Sequence, residues 1–144
     1  MENLDNTKIT WDGGNLIYPL PALMISCGNE ELGKNIITVS WGGTICTNPP
    51  MCSISVRPER YSYELIKKTG EFVVNLSTLE LVKATDWCGV RSGRDYDKFK
   101  EMKLTPVAAS KVSAPLILES PVNLECVVTE MLPLGSHHMF LAEI

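Results

Sequence analysis

The sequence predicts a mainly β fold, a small β-barrel with two or three short helices, and three observations favour it. About six or seven short apolar runs rich in β-branched residues are spread along the chain, whereas few segments show helical spacing. The nine prolines and ten glycines are scattered, which is typical of short strands joined by turns. Because the strands do not alternate regularly with long helices, a barrel is favoured over a parallel α/β sheet.

The first half of the chain is predicted to contain four strands and one helix. The strands are the apolar runs at residues 21–27, 34–41, 51–56 and 71–76. The second and third are separated by a Thr-rich turn ending in Asn48-Pro49-Pro50, which predicts that they are antiparallel neighbours. The helix spans residues 61–69 and stops at Gly70. Residues 1–20 are predicted to be an irregular lead-in, or to hold a short edge strand around Lys8 to Trp11.

The second half is predicted to contain a second helix, a further helical turn and three strands. Residues 77–80 match the capping-box pattern, so this helix should begin there, present Leu79 and Val82 on its apolar side and run to Trp87. A helical turn is expected at 95–102, followed by a surface connection without periodicity at 106–115. The three predicted strands are residues 116–119, 122–132 and 138–144.

Composition predicts one cytoplasmic domain over residues 1–144. A chain of 144 residues with 44% hydrophobic content can bury a proper core. The net charge of −4 argues against nucleic acid as a partner, and no apolar run approaches the roughly 20 residues needed to span a bilayer. The polar N-terminus does not read as a secretory signal. Five cysteines without a CxxC pair fit a reducing compartment and lack zinc-ligand spacing, so no metal site is predicted.

A cluster of cations at the start of the first predicted helix indicates an anion site. Arg57 and Arg60 lie beside Ser62 and the free backbone N–H groups of the helix start. Such a helix end favours anions, and the guanidinium fork matches phosphate oxygens. We therefore expect a phosphate ester to bind here. In the alternative, the arginines pair with Glu59 or Glu64 on a solvated surface and Ser62 only caps the helix.

The order of several motifs resembles the flavin reductase-like, FMN-binding split-barrel proteins, and is most similar to their flavoredoxin branch. The likeness covers nearly the whole chain from Tyr18 onward. The motifs are NIITVSW at 35–41, NPP at 48–50, SVRPERYS at 55–62, GEFVVNL at 70–76, SGRDYDKF at 92–99, SAPL at 113–116 and GSHH at 135–138. The resemblance implies an FMN-binding split β-barrel of Greek-key type that forms a homodimer.

The resemblance also implies where FMN binds, with its phosphate near residues 57–63 and its ring along the strand at 35–41. Tyr61 and Tyr63 would pack on the ribityl chain or ring, and the loop after the strand would lie at the dimethylbenzene or interface side. Alternatively, the strand is an ordinary half-buried one, its tryptophan a core aromatic and Cys46 an inert thiol. The implied cofactor-binding residues are Asn35, Thr38, Val39, Ser40, Trp41, Cys46, Thr47, Arg57, Arg60, Tyr61, Ser62 and Tyr63.

Catalytic residues are not identified, although in related reductases a histidine at the GSHH strand helps to hold the nicotinamide donor. His138 is the candidate here, with His137 the neighbouring choice, and a solvated strand-end histidine is the alternative. Asp95 and Lys98 are expected to support the phosphate or a partner subunit, or to form a salt-bridged helical turn. No nucleophile–base arrangement and no GxGxxG loop is present, which fits chemistry carried by a cofactor.

These features predict an FMN-binding oxidoreductase that takes electrons from NAD(P)H or a redox protein and passes them to flavin, a metal ion or a protein acceptor. The alternatives are a non-catalytic, flavoredoxin-like electron carrier and a flavin-free binding module. Members of the family usually carry a further strand and a terminal segment after the GSHH strand. Because the sequence ends within an apolar alternation at Phe140–Ile144, we expect either a longer protein or a partner that completes an exposed last strand.

Overall fold

The computed structural model describes residues 8–144 and contains a seven-stranded antiparallel sheet, a two-stranded sheet and three short helices. The strands are β1 (Leu23–Asn29), β2 (Gly33–Val39), β3 (Gly42–Cys46), β4 (Met51–Val56), β5 (Glu71–Leu76), β6 (Pro106–Val107), β7 (Leu116–Ile117), β8 (Asn123–Pro133) and β9 (His138–Glu143). The helices are α1 (Tyr61–Thr69), α2 (Val82–Val90) and α3 (Lys98–Met102). The large sheet has the strand order β2-β1-β5-β8-β9-β4-β3, and β6 pairs with β7.

The large sheet curls into a barrel because its two outermost strands are consecutive in the chain. Only Ser40 and Trp41 separate β2 from β3, so the opposite edges of the sheet must lie close together. The Ser55 amide of β4 donates to the Trp41 carbonyl at 2.8 Å. This hydrogen bond ties the connection between β2 and β3 to β4, which lies at the opposite end of the strand order from β2. The predicted mainly β barrel with a few short helices is therefore confirmed.

Side chains of the first strands pack on both faces of the sheet. On β1, Ile25 and Cys27 point into the barrel, where they pack with Phe72 and Phe140, whereas Met24 belongs to a second core beneath α2 and α3. Successive strand residues face opposite sides, so a strand covered on both faces reads as a continuous apolar run. This explains why the run at 21–27 shows no alternation.

The second helix starts later than the capping-box pattern predicts, so that prediction is wrong. Helix α2 begins at Val82, and the Ser77 hydroxyl instead donates to the Ala22 carbonyl at 3.0 Å, tying the loop to the start of β1. Leu79 and Val82 are 83% and 60% exposed. The buried side of α2 is formed by Ala84 and Cys88, which pack in the second core.

Two further expectations about strands are wrong, and of the two alternatives for the start of the chain the irregular lead-in is confirmed for residues 8–20. The Thr-rich segment after Trp41 is itself strand β3, so β4 pairs with β3 and β9 and is not a hydrogen-bonded neighbour of β2. The last strand, β9, is not an exposed edge, because it pairs with β4 on one side and β8 on the other. No edge strand forms at Lys8 to Trp11, and residues 8–20 are irregular; the rest of the predicted lead-in, residues 1–7, lies outside the described residues.

The connection at residues 106–115 is more ordered than its sequence predicts. It contains strand β6, and it buries Val112 and Ala114 against Val73 of β5. The Glu125 carboxylate of β8 accepts hydrogen bonds from the backbone amides at 110–112 and from a serine hydroxyl there. Partial burial raises the pKa of Glu125, but these hydrogen bonds outweigh it and hold that pKa below its ordinary value.

Candidate functional site

A groove runs along the outer end of β2, between the start of α1 and the side of α2. Its first part is a cavity of about 200 Å³, lined by Thr38 to Trp41, Arg57 and His137. Its second part is a cavity of about 80 Å³ at the start of α1. Ile37, Arg60 and Gly89 line both cavities, so the two lie side by side. We call them the strand cavity and the cationic cavity.

Helix α2 forms one wall of the groove by lying close against β2. A Cβ atom at Gly89 would lie 3.3 Å from the Cβ of Thr38, so a side chain there would push the helix away from the strand. The Thr38 hydroxyl donates to the Thr85 carbonyl of α2 at 2.5 Å. This hydrogen bond ties the helix to the strand. Because the Thr38 hydroxyl already donates its proton to Thr85, it can only accept a hydrogen bond from a ligand.

The cationic cavity contains a buried lysine without a carboxylate partner. Lys98 is only 3% exposed, and its Nζ donates to the Cys88 carbonyl at 2.7 Å. No carboxylate of residues 8–144 lies within salt-bridge distance of it. Desolvation lowers the pKa of Lys98, and the positive charge of Arg60 acts in the same direction. A buried cation is costly unless an anion compensates it, so this cavity has the chemistry of an anion site.

Local sequence explains how Lys98 reaches this position. The Asp97 side chain caps α3 by accepting from the Lys100 amide at 3.2 Å, so the helix begins at Lys98. Phe99 packs into the core beneath α3, and the adjacent lysine is buried with it. Arg60 and Arg91 also line the cavity and add positive charge, whereas the lining residue Arg94 pairs with Glu64 and the lining residue Glu59 pairs with Arg57.

The start of α1 adds backbone donors to the cationic cavity. The N-cap residue Arg60 makes no side-chain cap, so amides of the first turn are not occupied by a capping group. Ser62 is buried, and its hydroxyl accepts from Asn35 Nδ2 at 2.8 Å. Ser62 is thus not the N-cap, and the alternative that it only caps the helix is wrong. Asn35 links β2 to α1.

The arginines of the predicted anion motif take different roles. Arg57 pairs with Glu59 at 2.6 Å and is about half exposed, as the surface ion-pair alternative expects. Glu64 pairs at 2.7 Å with Arg94. Arg60 forms no salt bridge with any residue in the described range 8–144, so its charge is available to a ligand.

The structure brings nine of the twelve predicted cofactor-binding residues to the groove. The other three, Cys46, Thr47 and Tyr63, do not line it. Cys46 ends β3 and Thr47 lies in the turn after it, near the edge of the sheet. The nine groove residues are Asn35, Thr38, Val39, Ser40, Trp41, Arg57, Arg60, Tyr61 and Ser62.

Tyr63 and His138 face the barrel interior and therefore stand apart from the groove. The Tyr63 ring is buried, and its hydroxyl lies 2.8 Å from His138 Nδ1. His137 lines the groove instead, with its ring centroid 4.5 Å from that of Trp41. Desolvation, assisted by the charges of Arg57 and Arg60, lowers the pKa of His137 and so favours the neutral imidazole.

Several groove residues carried no signal that sequence reasoning used. Gly89 lies inside a helix, and only the close approach of α2 to β2 explains a glycine there. Arg91 and Arg94 flank the Ser92-Gly93 turn. A Cβ at Gly93 would lie 2.8 Å from Asn35 Nδ2 and closer still to its Oδ1, so this turn must be made with glycine. The SGRD motif at residues 92–95 contains this turn, but the sequence alone does not show that the turn packs against Asn35.

Burial keeps the thiols nearest the groove protonated. Burial raises the pKa of Cys27 to about 12 and that of Cys88 to about 11. Among residues 8–144, no group of three or more His, Cys, Asp or Glu side chains is placed to hold a metal ion. Within the same range, none of the helices has the length and apolar character that crossing a membrane requires.

Comparison with known proteins gives a family match over most of the chain. A family model described as "Flavin reductase like domain" matches residues 15–144. An uncharacterized protein of Archaeoglobus fulgidus is 36% identical over 128 residues, which cover 89% of this chain and 71% of that protein. An uncharacterized protein of Pyrococcus abyssi is 29% identical over 133 residues, covering 92% and 76%.

Solved structures with the same fold include two flavoredoxins. That of Desulfovibrio vulgaris (Miyazaki F) has a TM-score of 0.88 and 30% identity, covering 96% of this chain and 74% of that one. That of Methanosarcina acetivorans has a TM-score of 0.85 and 31% identity, covering 95% and 72%. A split-barrel protein of Shewanella frigidimarina, described as a putative flavin reductase, has a TM-score of 0.80 and 24% identity, covering 87% and 64%. The predicted split-barrel fold and the likeness to flavoredoxins are confirmed.

Proposed function

The chain belongs to the flavin reductase-like family, and on this premise we propose that it is an FMN-binding oxidoreductase. The electron donor would be NAD(P)H or a redox protein, and the acceptor would be free flavin, a metal ion or a protein. The observation that carries the proposal is the buried Lys98 cation in a cavity that adjoins the strand cavity. That arrangement combines an anion site with an adjoining cavity, as a flavin mononucleotide requires.

The residues of the cationic cavity fit a phosphate group. Among residues 8–144, the Lys98 ammonium donates only to the Cys88 carbonyl, which leaves donor capacity for phosphate oxygens. Arg60 adds a guanidinium without an ion-pair partner in residues 8–144, and the first turn of α1 adds backbone N–H groups. A bound phosphate would compensate the desolvation cost that lowers the pKa of Lys98.

The strand cavity fits the remainder of an FMN molecule. Its wall from Thr38 to Trp41 offers backbone groups and the hydroxyl of Ser40 for the polar edge of the ring. Trp41 and His137 pack together at the other end and would shield the ring from water. When bound, the flavin supplies the hydride and electron chemistry, and the protein's part is to position it and adjust its potential.

The test is an absorption spectrum of the concentrated protein before and after incubation with FMN and desalting. We expect the visible flavin absorption band to remain with the protein after desalting. Riboflavin, treated identically, serves as the control and should be lost, because it lacks the phosphate that Lys98 and Arg60 would hold. If the protein retains no FMN and shows no affinity for it in titration, the proposed function is wrong.

A non-catalytic electron carrier is the second candidate, because two of the structural neighbours are flavoredoxins. Anaerobic mixing of the FMN-loaded protein with NADH or NADPH separates the two functions. Rapid bleaching of the bound flavin supports a reductase that uses nicotinamide directly. Stable colour with both donors, followed by bleaching with a reduced redox protein, supports a carrier.

We also propose that the protein works as a homodimer. Ile9, Trp11 and Ile17 are 75%, 66% and 86% exposed on the irregular segment before β1, and Ile45 of the edge strand β3 is 47% exposed. A second copy would cover this apolar surface and bring the loop with Cys46 close to a binding groove. Sedimentation of the FMN-loaded protein as a stable monomer would contradict this. A single-domain organisation of residues 1–144 and a cytoplasmic location remain proposals as well.

A further inference from the structure

Two separate parts of the chain carry the two ends of the groove. The start of α1 brings Arg60 and the first-turn amides to the cationic cavity, and the loop at residues 134–137, between β8 and β9, brings His137 to the strand cavity. The Leu134 amide closes this loop by donating to the His137 carbonyl at 3.1 Å. A ligand that fills both cavities therefore depends on how α1 and this loop are placed relative to each other.

A contact inside the barrel joins α1 to the strand that follows this loop. Tyr63 of α1 is buried, and its ring meets that of His138 edge-on with the centroids 5.3 Å apart. The Tyr63 ring also packs at 5.5 Å on Phe140, which lies two residues farther along β9 and so on the same face. Tyr63 thus holds two successive inward side chains of β9.

The Tyr63 hydroxyl contacts both strands of the hairpin that carries the loop. Its oxygen lies 2.8 Å from His138 Nδ1 on β9 and 3.4 Å from Met131 Sδ on β8. A phenol has one proton to donate, so both contacts are hydrogen bonds when Tyr63 donates to the sulfur and accepts from His138 Nδ1–H. One side chain of α1 thereby ties the two strands together directly beneath the loop.

The loop has little other support at this end of the sheet. His138 is the first residue of β9, where it pairs with Val56 of β4, and strand ends open more readily than strand centres. Residues 133–136 are all exposed. The position of His137 therefore depends on its packing against Trp41 and on the His138 rung that follows it.

We propose that Tyr63 is a positioning residue for the ring end of the flavin site. Through His138 it holds the loop that carries His137, and so keeps this imidazole packed on Trp41. The inference rests on the proposed flavin function and adds to it a residue that lines neither cavity. Tyr63 would act on the part of the site that FMN and riboflavin share, whereas Lys98 would act on the phosphate.

The experiment is a calorimetric titration of the purified full chain with FMN and with riboflavin. Tyr63→Phe removes the hydroxyl and retains the ring, so a ligand must then order a loop that the protein no longer holds. We expect both flavins to bind about three- to tenfold more weakly, which is the magnitude of one neutral hydrogen bond, and their affinity ratio to stay unchanged. The stoichiometry of the titration distinguishes a weaker site from a smaller folded fraction.

Tyr96→Phe is the matched control for the loss of a tyrosine hydroxyl. Tyr96 is 41% exposed, packs on Trp87 and lines neither the strand cavity nor the cationic cavity. This variant should bind both flavins like the wild type.

A second background tests whether Tyr63 acts through His137. His137→Ala removes the imidazole that the contact is proposed to place. Adding Tyr63→Phe to His137→Ala should therefore weaken neither flavin further, because the two substitutions remove the same interaction. A residue with only a general structural role would show the same loss in both backgrounds.

Three results would overturn the positioning role while leaving the flavin function intact. One is a Tyr63→Phe variant that binds both flavins like the wild type. Another is a loss confined to FMN, which would assign the effect to the start of α1. The third is an equal loss from Tyr63→Phe with and without the imidazole of His137. A wild-type protein that binds neither flavin would instead refute the proposed function, and the positioning role with it.

Discussion

Replacing Lys98 with methionine tests the anion site most sharply. Methionine has a similar length and is apolar, so it fills the buried position without the charge. In the wild type, Nζ donates to the Cys88 carbonyl and retains donors for a phosphate oxygen. A charge-assisted hydrogen bond of this kind contributes about 1.5–3 kcal/mol. We therefore expect FMN to bind Lys98→Met roughly 10- to 150-fold more weakly, with little change for riboflavin.

The stability of the same variant separates loss of binding from loss of fold. Lys98 is a desolvated cation without a carboxylate partner among residues 8–144, so replacing it removes a burial cost and loses one hydrogen bond. We therefore expect the free energy of unfolding of the ligand-free Lys98→Met protein to be equal to or above that of the wild type. Urea unfolding followed by circular dichroism measures it.

The pH dependence of the wild type gives an independent signature of Lys98. Its folded-state pKa lies below the ordinary lysine value, so the unfolded chain binds more protons in the window between the two. The free energy of unfolding of the ligand-free protein should rise with pH across that window, and FMN affinity should fall as Lys98 loses its charge. In Lys98→Met, the unfolding free energy and the FMN affinity should both change less with pH than in the wild type.

Lys100→Met is the matched control, because Lys100 lies exposed on the same helix and lines neither the strand cavity nor the cationic cavity. This variant should bind FMN like the wild type. The reasoning is refuted if Lys98→Met loses equal affinity for FMN and riboflavin, or if Lys100→Met weakens FMN as much as Lys98→Met does.

Two further predictions follow from other contacts. Gly93→Ala should weaken FMN binding by tenfold or more in isothermal titration. The added Cβ would overlap the Asn35 carboxamide, which donates to Ser62 at the start of α1. Unchanged FMN affinity would show that this turn does not shape the site. Glu125→Gln should lower the free energy of unfolding by about 1–3 kcal/mol at pH 7, because the amides at 110–112 lose a charged acceptor. Since the pKa of Glu125 is lowered in the folded state, its contribution is present above the ordinary carboxyl pKa and is lost as the pH falls through the folded value. The difference in unfolding free energy between wild type and variant should therefore vanish in acid, and a pH-independent difference would contradict this.

Elements set by local signals could be predicted closely from the sequence. Helix α1 spans 61–69 as expected, because Gly70 adopts the left-handed conformation (φ 69°) that ends it. Strand β5 likewise spans 71–76. The segment after Trp41 was predicted as a turn because its glycines and threonines carry no apolar alternation. It becomes a strand only through pairing with β4, which short-range patterns do not reveal.

The site shows the same division between local and long-range information. The motif at 57–63 correctly indicated a cationic helix start, but not which side chains turn inward. Tyr63 is two residues beyond Tyr61, so on a helix it faces a different side and enters the barrel. The choice between His137 and His138 depends on strand register, since one step exchanges the two faces. In the structure His138 pairs with Val56 and faces inward, which leaves His137 to the groove.

The measurement that tests the central claim most directly is the ratio of FMN to riboflavin affinity of the wild-type protein, determined by calorimetric titration. Lys98 and Arg60 both face the proposed phosphate position, and each contact contributes at least about 1.5 kcal/mol. We expect FMN to bind at least roughly a hundredfold more tightly than riboflavin. Equal affinities would contradict the account, because the buried lysine would then hold no phosphate.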